Sequence, residues 1–321
     1  SHRALPLTRR KRHIGCMSPD LPPLLFDRGL LRQRRNRAAR SIQSYNFLVQ
    51  RAFDDICDRV EGVMRDFDHG VILGGGPGLQ AEFHQRHAGS KTGWIAQSDL
   101  APAVAGRLES PALALDEERL PFADASLDLI MAPLGLHWTN DLPGVLVQLR
   151  RALKPDGFLA AALLGGNSLT ELRQCLVTAE TELSGGAHAR VSPLAGTFDI
   201  AALLQRAGFT MPVADIDRVT VRYDNAFALM ADLRGMAETS ILTDRPRSPA
   251  TRALFVRMAE IYAERFSDPD GRIRATFEIV HAAGWAPHPD QPVAKRPGSA
   301  TVRLADALGV TEESAGEKAG R

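Results

Sequence analysis

Val71-Ile72-Leu73-Gly74-Gly75-Gly76-Pro77-Gly78 is an apolar run that stops abruptly in glycines. Such a run reads as a buried strand turning tightly into the start of a helix. Glycine suits the turn because a Cβ would clash where the backbone passes close under a ligand, and because the turn calls for φ > 0. Gly74, Gly76 and Gly78 alternate as G-x-G-x-G. A dinucleotide fingerprint, G-x-G-x-x-G, would set its third glycine one residue later. The spacing therefore favours S-adenosylmethionine (SAM), which has no pyrophosphate to seat on the helix N-terminus.

Downstream, Leu79 to His87 continues as a helix and Trp94-Ile95-Ala96-Gln97-Ser98-Asp99 reads as a second strand ending in an acid. Asp99 lies 21 residues after Gly78, close to the ~20-residue offset of an acid that accepts ribose hydroxyls. Ala112 to Leu115, Leu127 to Pro133 and Phe158 to Leu164 are further strands, separated by a helix over Asp141 to Leu153 that Lys154-Pro155-Asp156-Gly157 should end in a turn. Helices follow over Ser168 to Leu183 and Thr197 to Gly208, then an alternating strand over Val213 to Tyr223. From Ala226 to Asp270 the pattern is helical, an insertion over the site. Ile273 to Val280 should return at the sheet edge, antiparallel to the strand near Val219, and Ala300 to Leu304 is a candidate last short strand.

Upstream, Tyr45 to Val63 has helical apolar spacing. Leu24 to Arg40 mixes a few apolar residues with dense arginine, which suits a solvated helix, a lid over the pocket or a surface for an acidic partner. The expected organisation is a non-native or disordered arm over 1–23, with Met17 a plausible start, and a helical lid over 24–63. A doubly wound core follows over 64–225, then the insertion over 226–272, returning edge strands over 273–304 and a disordered tail over 305–321. Strands alternating with helices imply an α/β, Rossmann-like, mainly parallel sheet with its ligand site at the carboxyl ends of the strands. Gly74, Asp99, Asp116 and the His137 region all fall on that rim.

Composition narrows the class. The chain has 321 residues, 44% hydrophobic and 24% charged, with a net charge of +1, which makes no general case for nucleic-acid binding. Cys16, Cys57 and Cys175 form no C-x-x-C, so neither a disulfide framework nor a metal site is suggested. A reducing cytoplasm is the expected compartment. No apolar run approaches the ~20 residues of a membrane span.

These residues resemble the class I SAM-dependent methyltransferases. Asp116-Glu117-Glu118-Arg119-Leu120-Pro121-Phe122 with Ser126-Leu127-Asp128-Leu129 is similar to that family's D-x-x-x-L-P-F…S-F-D signature. Leu136-His137-Trp138-Thr139-Asn140-Asp141-Leu142-Pro143, Gly165-Gly166-Asn167-Ser168-Leu169-Thr170-Glu171-Leu172-Arg173, Phe26-Asp27-Arg28, Ala38-Ala39-Arg40, Asp232-Leu233-Arg234-Gly235-Met236, Gly284-Trp285 and Gly298-Ser299-Ala300-Thr301-Val302 narrow the likeness. They resemble the assembly-factor-5 family of mitochondrial NADH dehydrogenase (complex I), and more distantly the malonyl-carrier-protein methyltransferases of biotin synthesis.

The resemblance implies a class I fold with an antiparallel edge hairpin, SAM as cofactor, and Gly74, Gly76, Gly78, Asp99, Leu100, Asp116, Glu117 and Leu134 as its binding residues. It implies methyl transfer to a protein or small-molecule acceptor. The alternatives are hydroxylation of an arginine in a complex I subunit, or a non-enzymatic assembly role. Ile72 stands where the family carries an acid that helps hold the ammonium end of SAM, which weakens the expected affinity. Gly75 replaces a commoner cysteine with little expected effect, and Ala237 replaces a glycine.

His137 follows the fourth strand, where it suits a general base, and Trp138 suits a pocket wall. Glu171, in a helix first turn, suits either the helix dipole or a substrate guanidinium. Asp232 and Glu238, flanking Gly235-Met236, are candidates of the same kind.

Overall fold

A strand buried on both faces must be apolar throughout, its side chains alternating between two cores. In β1 (Phe67–Leu73), Val71 and Leu73 join one apolar cluster while Ile72 joins the other. The computed structural model describes residues 24–87, 92–246, 249–292, 299 and 302–311. The expectations for the 1–23 arm, for Gly298, Ala300 and Thr301 and for the tail beyond 311 lie outside these residues.

The further strands are β2 (Thr92–Asp99), β3 (Ala112–Ala114), β4 (Leu127–Pro133), β5 (Leu153–Leu164), β6 (Thr210–Tyr223) and β7 (Ile273–Trp285). They form a seven-stranded sheet in the order β3-β2-β1-β4-β5-β7-β6. β1 to β5 pair in parallel, while β7 runs antiparallel to both β5 and β6. β1 lies between β2 and β4, so the chain order reverses there and opens a crevice at the carboxyl ends of the strands.

The helices are α1 (Arg28–Ala38), α2 (Phe47–Glu61), α3 (Leu79–Arg86), α4 (Pro102–Ala105), α5 (Leu142–Ala152), α6 (Thr170–Ser184), α7 (Thr197–Arg206), α8 (Ala226–Gly235), α9 (Arg252–Phe266) and α10 (Leu304–Leu308). One face of the sheet packs Ile72, Leu129 and Phe277 against Phe53 of α2, Phe83 of α3, Cys175 of α6 and Met258 of α9. The other packs Val71, Ile130 and Leu159 against Leu146 and Leu149 of α5 and Leu204 of α7.

Three expectations are corrected. Lys154 to Gly157 is not a turn: β5 begins at Leu153, directly on the end of α5, and takes these residues in. The turn-like signal marks a kink inside the strand, where Asp156 adopts a φ of 60° and the register with β4 shifts between Leu127 and Leu129. β7 is also longer than expected and lies inside the sheet, with β6 as the edge. Burial explains the order, since β7 is buried on both faces from Phe277 to Ala283 while β6 alternates. Finally, Leu304–Leu308 is helical, so a strand does not reach Leu304 and the tail does not lose its structure at 305.

The inserted helices meet the N-terminal segment closely. A Cβ at Gly235 would come within 2.5 Å of the Tyr45 ring. The substitution Gly235→Ala should therefore destabilise the fold by about 1–3 kcal/mol, read as a lower denaturant midpoint at unchanged slope.

Candidate active site

The turn after β1 is built by backbone conformation. Gly74, Gly75, Gly76 and Gly78 adopt φ of 82°, 83°, 83° and 96°, in the left-handed region that side chains resist. A Cβ at Gly74 or Gly76 would meet nothing closer than 3.8 Å, so the space in front of these residues is open. Gly75 differs: a Cβ there would lie 2.4 Å from Leu79 Cδ1. A cysteine there would need Leu79 and Pro133 to shift and would sit at a φ of 83°, so the exchange is felt locally. The loop is pinned from below by Gln97, whose buried Nε2 donates to the carbonyls of Gly74 (3.0 Å) and Gly76 (2.6 Å). Sequence reasoning missed Gln97. The available signal was its place two residues before Asp99, on the same face of β2.

Asp99 closes β2 and is wholly buried. Its Oδ1 accepts from the backbone N–H of Ala101 at 2.8 Å and from Arg35 Nε at 3.1 Å, and its Oδ2 accepts from Arg35 Nη2. Burial works against the Arg35 guanidinium, but the Asp99 charge outweighs it and holds its pKa above the usual value. Asp116 and Glu117, after β3, both accept from Arg28, with Asp116 Oδ1 at 2.7 Å. Against the cost of burial, the hydrogen bond and charge of Arg28 hold the Asp116 carboxyl below its ordinary value. Burial pushes the deeper Glu117 carboxyl up, and Arg28 offsets this only in part.

The arginine-dense segment thus lies over the rim, and its side chains sit on the acids expected to meet ribose and adenine. α1 is secured by Asp27, which caps it through Leu30 N–H at 2.9 Å. Phe26 holds the segment down by a backbone N–H bond to Asn140 Oδ1 (2.8 Å) and an edge contact with Trp138. As folded, the spaces lined by Gly74, Gly75, Leu100, Glu117 and Leu134 amount to about 30 and 10 Å³. Ordinary small-molecule sites hold roughly 300 Å³ or more. The glycine cradle and the carboxylates fit an adenosyl group chemically, but room for it requires Arg28 and Arg35 to withdraw.

After β4, Leu134 adopts a φ of 51° and turns the chain into the short helical turn Leu136–Trp138. His137 Nε2 lies 3.1 Å from Glu238 Oε2, and Trp138 Nε1 donates to the same oxygen at 2.8 Å. Glu238 follows Ala237, a non-glycine residue at a φ of 63°. The glycine expected there is replaced, yet the left-handed turn is kept. His137, Trp138 and Glu238 therefore converge.

Glu171 does not join them. It accepts from the backbone N–H of Thr276 at 3.1 Å and from its hydroxyl, bracing α6 against β7. A carboxylate at that turn serves the sheet, so the expectation of a substrate contact is withdrawn. Asp232 likewise lies on α8 outside the residues around the slot. Ile72 is fully buried in the apolar cluster that includes Leu79 and Leu134.

Beyond Glu238 lies an apolar cavity of about 280 Å³ under α6, α8 and α9, lined by Leu169, Leu172, Leu176, Phe255 and Phe277 among others. Arg190 forms part of its wall and pairs with Glu180 through Nε (3.0 Å) and Nη2 (2.7 Å). The Arg190 hydrogen bonds hold the Glu180 carboxyl down at about 2. Among the described residues, no three His, Cys, Asp or Glu side chains gather into a metal-binding group, and no helix is long and apolar enough to cross a membrane.

Comparison with known proteins gives the family. Residues 72–161 match the family described as "Methyltransferase domain". The chain is 38% identical to the rat protein named "Arginine-hydroxylase NDUFAF5, mitochondrial", over 88% of this chain and 83% of that one. It is 31% identical to the malonyl-[acyl-carrier protein] O-methyltransferase of Laribacter hongkongensis, over 81% of this chain and 90% of that one. The chain belongs to the class I SAM-dependent methyltransferase family. It is an enzyme of that class and SAM is its cofactor. The YcgJ protein of Bacillus subtilis shares the fold with a TM-score of 0.51 and 13% identity, covering 74% of this chain and all but 1% of its own.

Two outcomes follow from the ion pairs. Arg35→Gln should lower the melting temperature of the ligand-free protein, because a buried carboxylate left without its partner costs about 3–5 kcal/mol. It should also raise the affinity for S-adenosylhomocysteine (SAH), whereas Asp99→Asn should weaken it; calorimetry reads both. Glu180 has a depressed pKa in the fold, so its contribution is complete above its unfolded value of about 4.3 and is lost as pH falls toward about 2. Melting curves from about pH 4.5 down to 2.5 should show a steeper loss for the native chain than for Glu180→Gln.

Proposed function

We propose that the acceptor occupies the apolar cavity next to the cofactor slot and receives there the methyl group of SAM. The observation that carries this reading is a shared wall: Leu48, Leu164, Met236 and Glu238 border both the cavity and the space beside Gly75. In this reading the glycine cradle, Leu100 and Leu134 seat the cofactor, with Asp99 on its ribose and Asp116 and Glu117 at its adenine. SAM supplies a methyl carbon made electrophilic by the attached sulfonium. The residues of the chain do the rest by position. The apolar walls exclude water and present the acceptor's lone pair to the methyl carbon. Glu238 would take the proton the acceptor loses on being methylated. Trp138 and His137 hold the receiving carboxylate in place.

A second reading rests on Glu238 and on the relatives' names. A half-buried carboxylate suits a guanidinium, the NDUFAF5 relatives are named arginine hydroxylases, and the family resemblance points to a complex I subunit as the protein presenting it. For location, both described cysteines are free and buried, with burial pushing Cys57 up to about 12 and Cys175 up to about 11. Inert thiols suit a reducing compartment such as the cytoplasm.

Incubation with SAM labelled in its methyl group, followed by mass spectrometry of acceptors, separates the chemistries. A labelled methyl in the product supports transfer; an added oxygen without label supports the second reading and overturns the first. On the acceptor so found, Glu238→Gln should lower turnover by about a hundredfold or more while SAH affinity stays within about threefold.

A further inference from the structure

The half-buried carboxylate of Glu238 has one oxygen engaged and one free. Oε2 accepts from Trp138 Nε1 at 2.8 Å and lies 3.1 Å from His137 Nε2. Oε1 has no partner among the described residues and is not sealed by protein. Glu238 borders both the apolar cavity and the small space beside Gly75, so the free oxygen stands where the two meet.

Among the described residues no cation pairs with that oxygen. Arg190, on the cavity wall, is bonded to Glu180, and Arg35, on the slot side, is bonded to Asp99. Arg234 also borders the cavity but is exposed to solvent. The rest of the wall offers little to a polar molecule. The Ser168 hydroxyl is exchanged with the Glu278 backbone, and the Ser192 and Ser240 hydroxyls are sealed within the protein. Leu169, Leu172, Leu176 and Phe255 are apolar. A ligand that fills this space is therefore hydrocarbon along its length and polar at the Glu238 end. The volume of about 280 Å³ holds roughly nine non-hydrogen atoms at about 30 Å³ apiece.

Charge and proton together decide the polar end. A carboxylate would be repelled by Glu238. A hydroxyl could donate to it, but holds its proton too tightly to give it up to a carboxylate. A guanidinium would pair with it and stay protonated, since its pKa lies above about 12. An ammonium pairs with the free oxygen through a charge-assisted hydrogen bond, and apolar surroundings loosen its hold on the proton. When that proton passes from nitrogen to the Glu238 carboxylate, cation and anion become a neutral amine with its lone pair and a neutral carboxylic acid.

We propose that the molecule taken by this cavity is an apolar primary amine, with its hydrocarbon body among Leu169, Leu172, Leu176 and Phe255 and its nitrogen against Glu238 Oε1. This rests on the reading of the cavity as the acceptor side of the methyl-transfer site. It names the class of acceptor there: a nitrogen that gives its proton to Glu238.

Titration calorimetry on the full chain at neutral pH compares octylamine, octanol and octanoate, which share one tail and differ in the head. SAH is titrated in parallel. Octylamine should bind about tenfold or more tightly than octanol, and octanoate more weakly than octanol. Glu238→Gln should bring octylamine to within about threefold of octanol. Leu172→Trp, which fills the cavity, should abolish octylamine binding while SAH still binds.

The comparison of heads on the native chain decides the matter even where a variant fails to fold. Equal affinity for octylamine and octanol, or tighter binding of octanoate, overturns the proposal. So does unchanged octylamine binding in folded Glu238→Gln or Leu172→Trp, which would put the amine elsewhere. If SAH fails to bind while the preference for octylamine holds, the cofactor reading falls and the amine site stands. If SAH binds and the preference is absent, the amine assignment falls and the cofactor reading stands.

Discussion

A carboxylate sealed at the end of a strand must be compensated, and in this protein Arg35 compensates it. Asp99 is wholly buried where β2 stops. Leaving a single charge there would cost several kcal/mol, so the fold needs a cation or a ligand with donors in the same place. Arg35 reaches it only because α1 lies across the rim of the sheet, and α1 lies there because Asp27 caps its start and Phe26 is tied to Asn140 and Trp138. The lid is thus continuous with the chemistry beneath it. In the proposed reading of the site, ribose hydroxyls would take the place of the Arg35 guanidinium on the same two oxygens, so cofactor binding and the position of α1 would be coupled by direct competition.

The core of this arrangement was legible in the sequence because it obeys local rules. The glycine turn declared itself by spacing, and Asp99 by its distance from that turn. β1, β2 and β4 announced themselves by apolar runs too short for helices. The sheet's far side was less legible. Lys154-Pro155-Asp156-Gly157 has the composition of a turn, but parallel pairing with β4 recruits it into a strand, which only a long-range partner can decide. β7 followed the same logic: its place between β5 and β6 depends on burial of both faces, a property of neighbours far along the chain.

The site was legible in parts for the same reason. His137 and Trp138 sit immediately after a recognisable strand. Glu238 lies about a hundred residues further on, in the segment after α8; the sequence offers it only as a candidate flanking Gly235-Met236, and its meeting with His137 and Trp138 depends on tertiary packing. Glu171 shows the converse. A helix first-turn acid beside a glycine loop has the look of a binding residue, yet its oxygens are spent on Thr276. Local sequence gives the position of a carboxylate, and only the facing strand says what it is bonded to.

Ala237 connects the strained backbone to the site. A side chain in the left-handed region costs roughly 1–2 kcal/mol, and glycine would avoid most of that cost. The turn nevertheless persists, because Glu238 N–H bonds back to the Leu233 carbonyl at 2.8 Å and its carboxylate receives Trp138. Two anchors on the residue that follows hold the unfavourable torsion in place. The inserted helices are therefore fixed to the sheet rim at the point where cavity and slot meet. A carboxylate so fixed keeps its direction when the lid moves, since neither of its anchors belongs to α1. Opening for the cofactor and holding the acceptor's proton partner still are then separate mechanical tasks, carried by different segments of the chain.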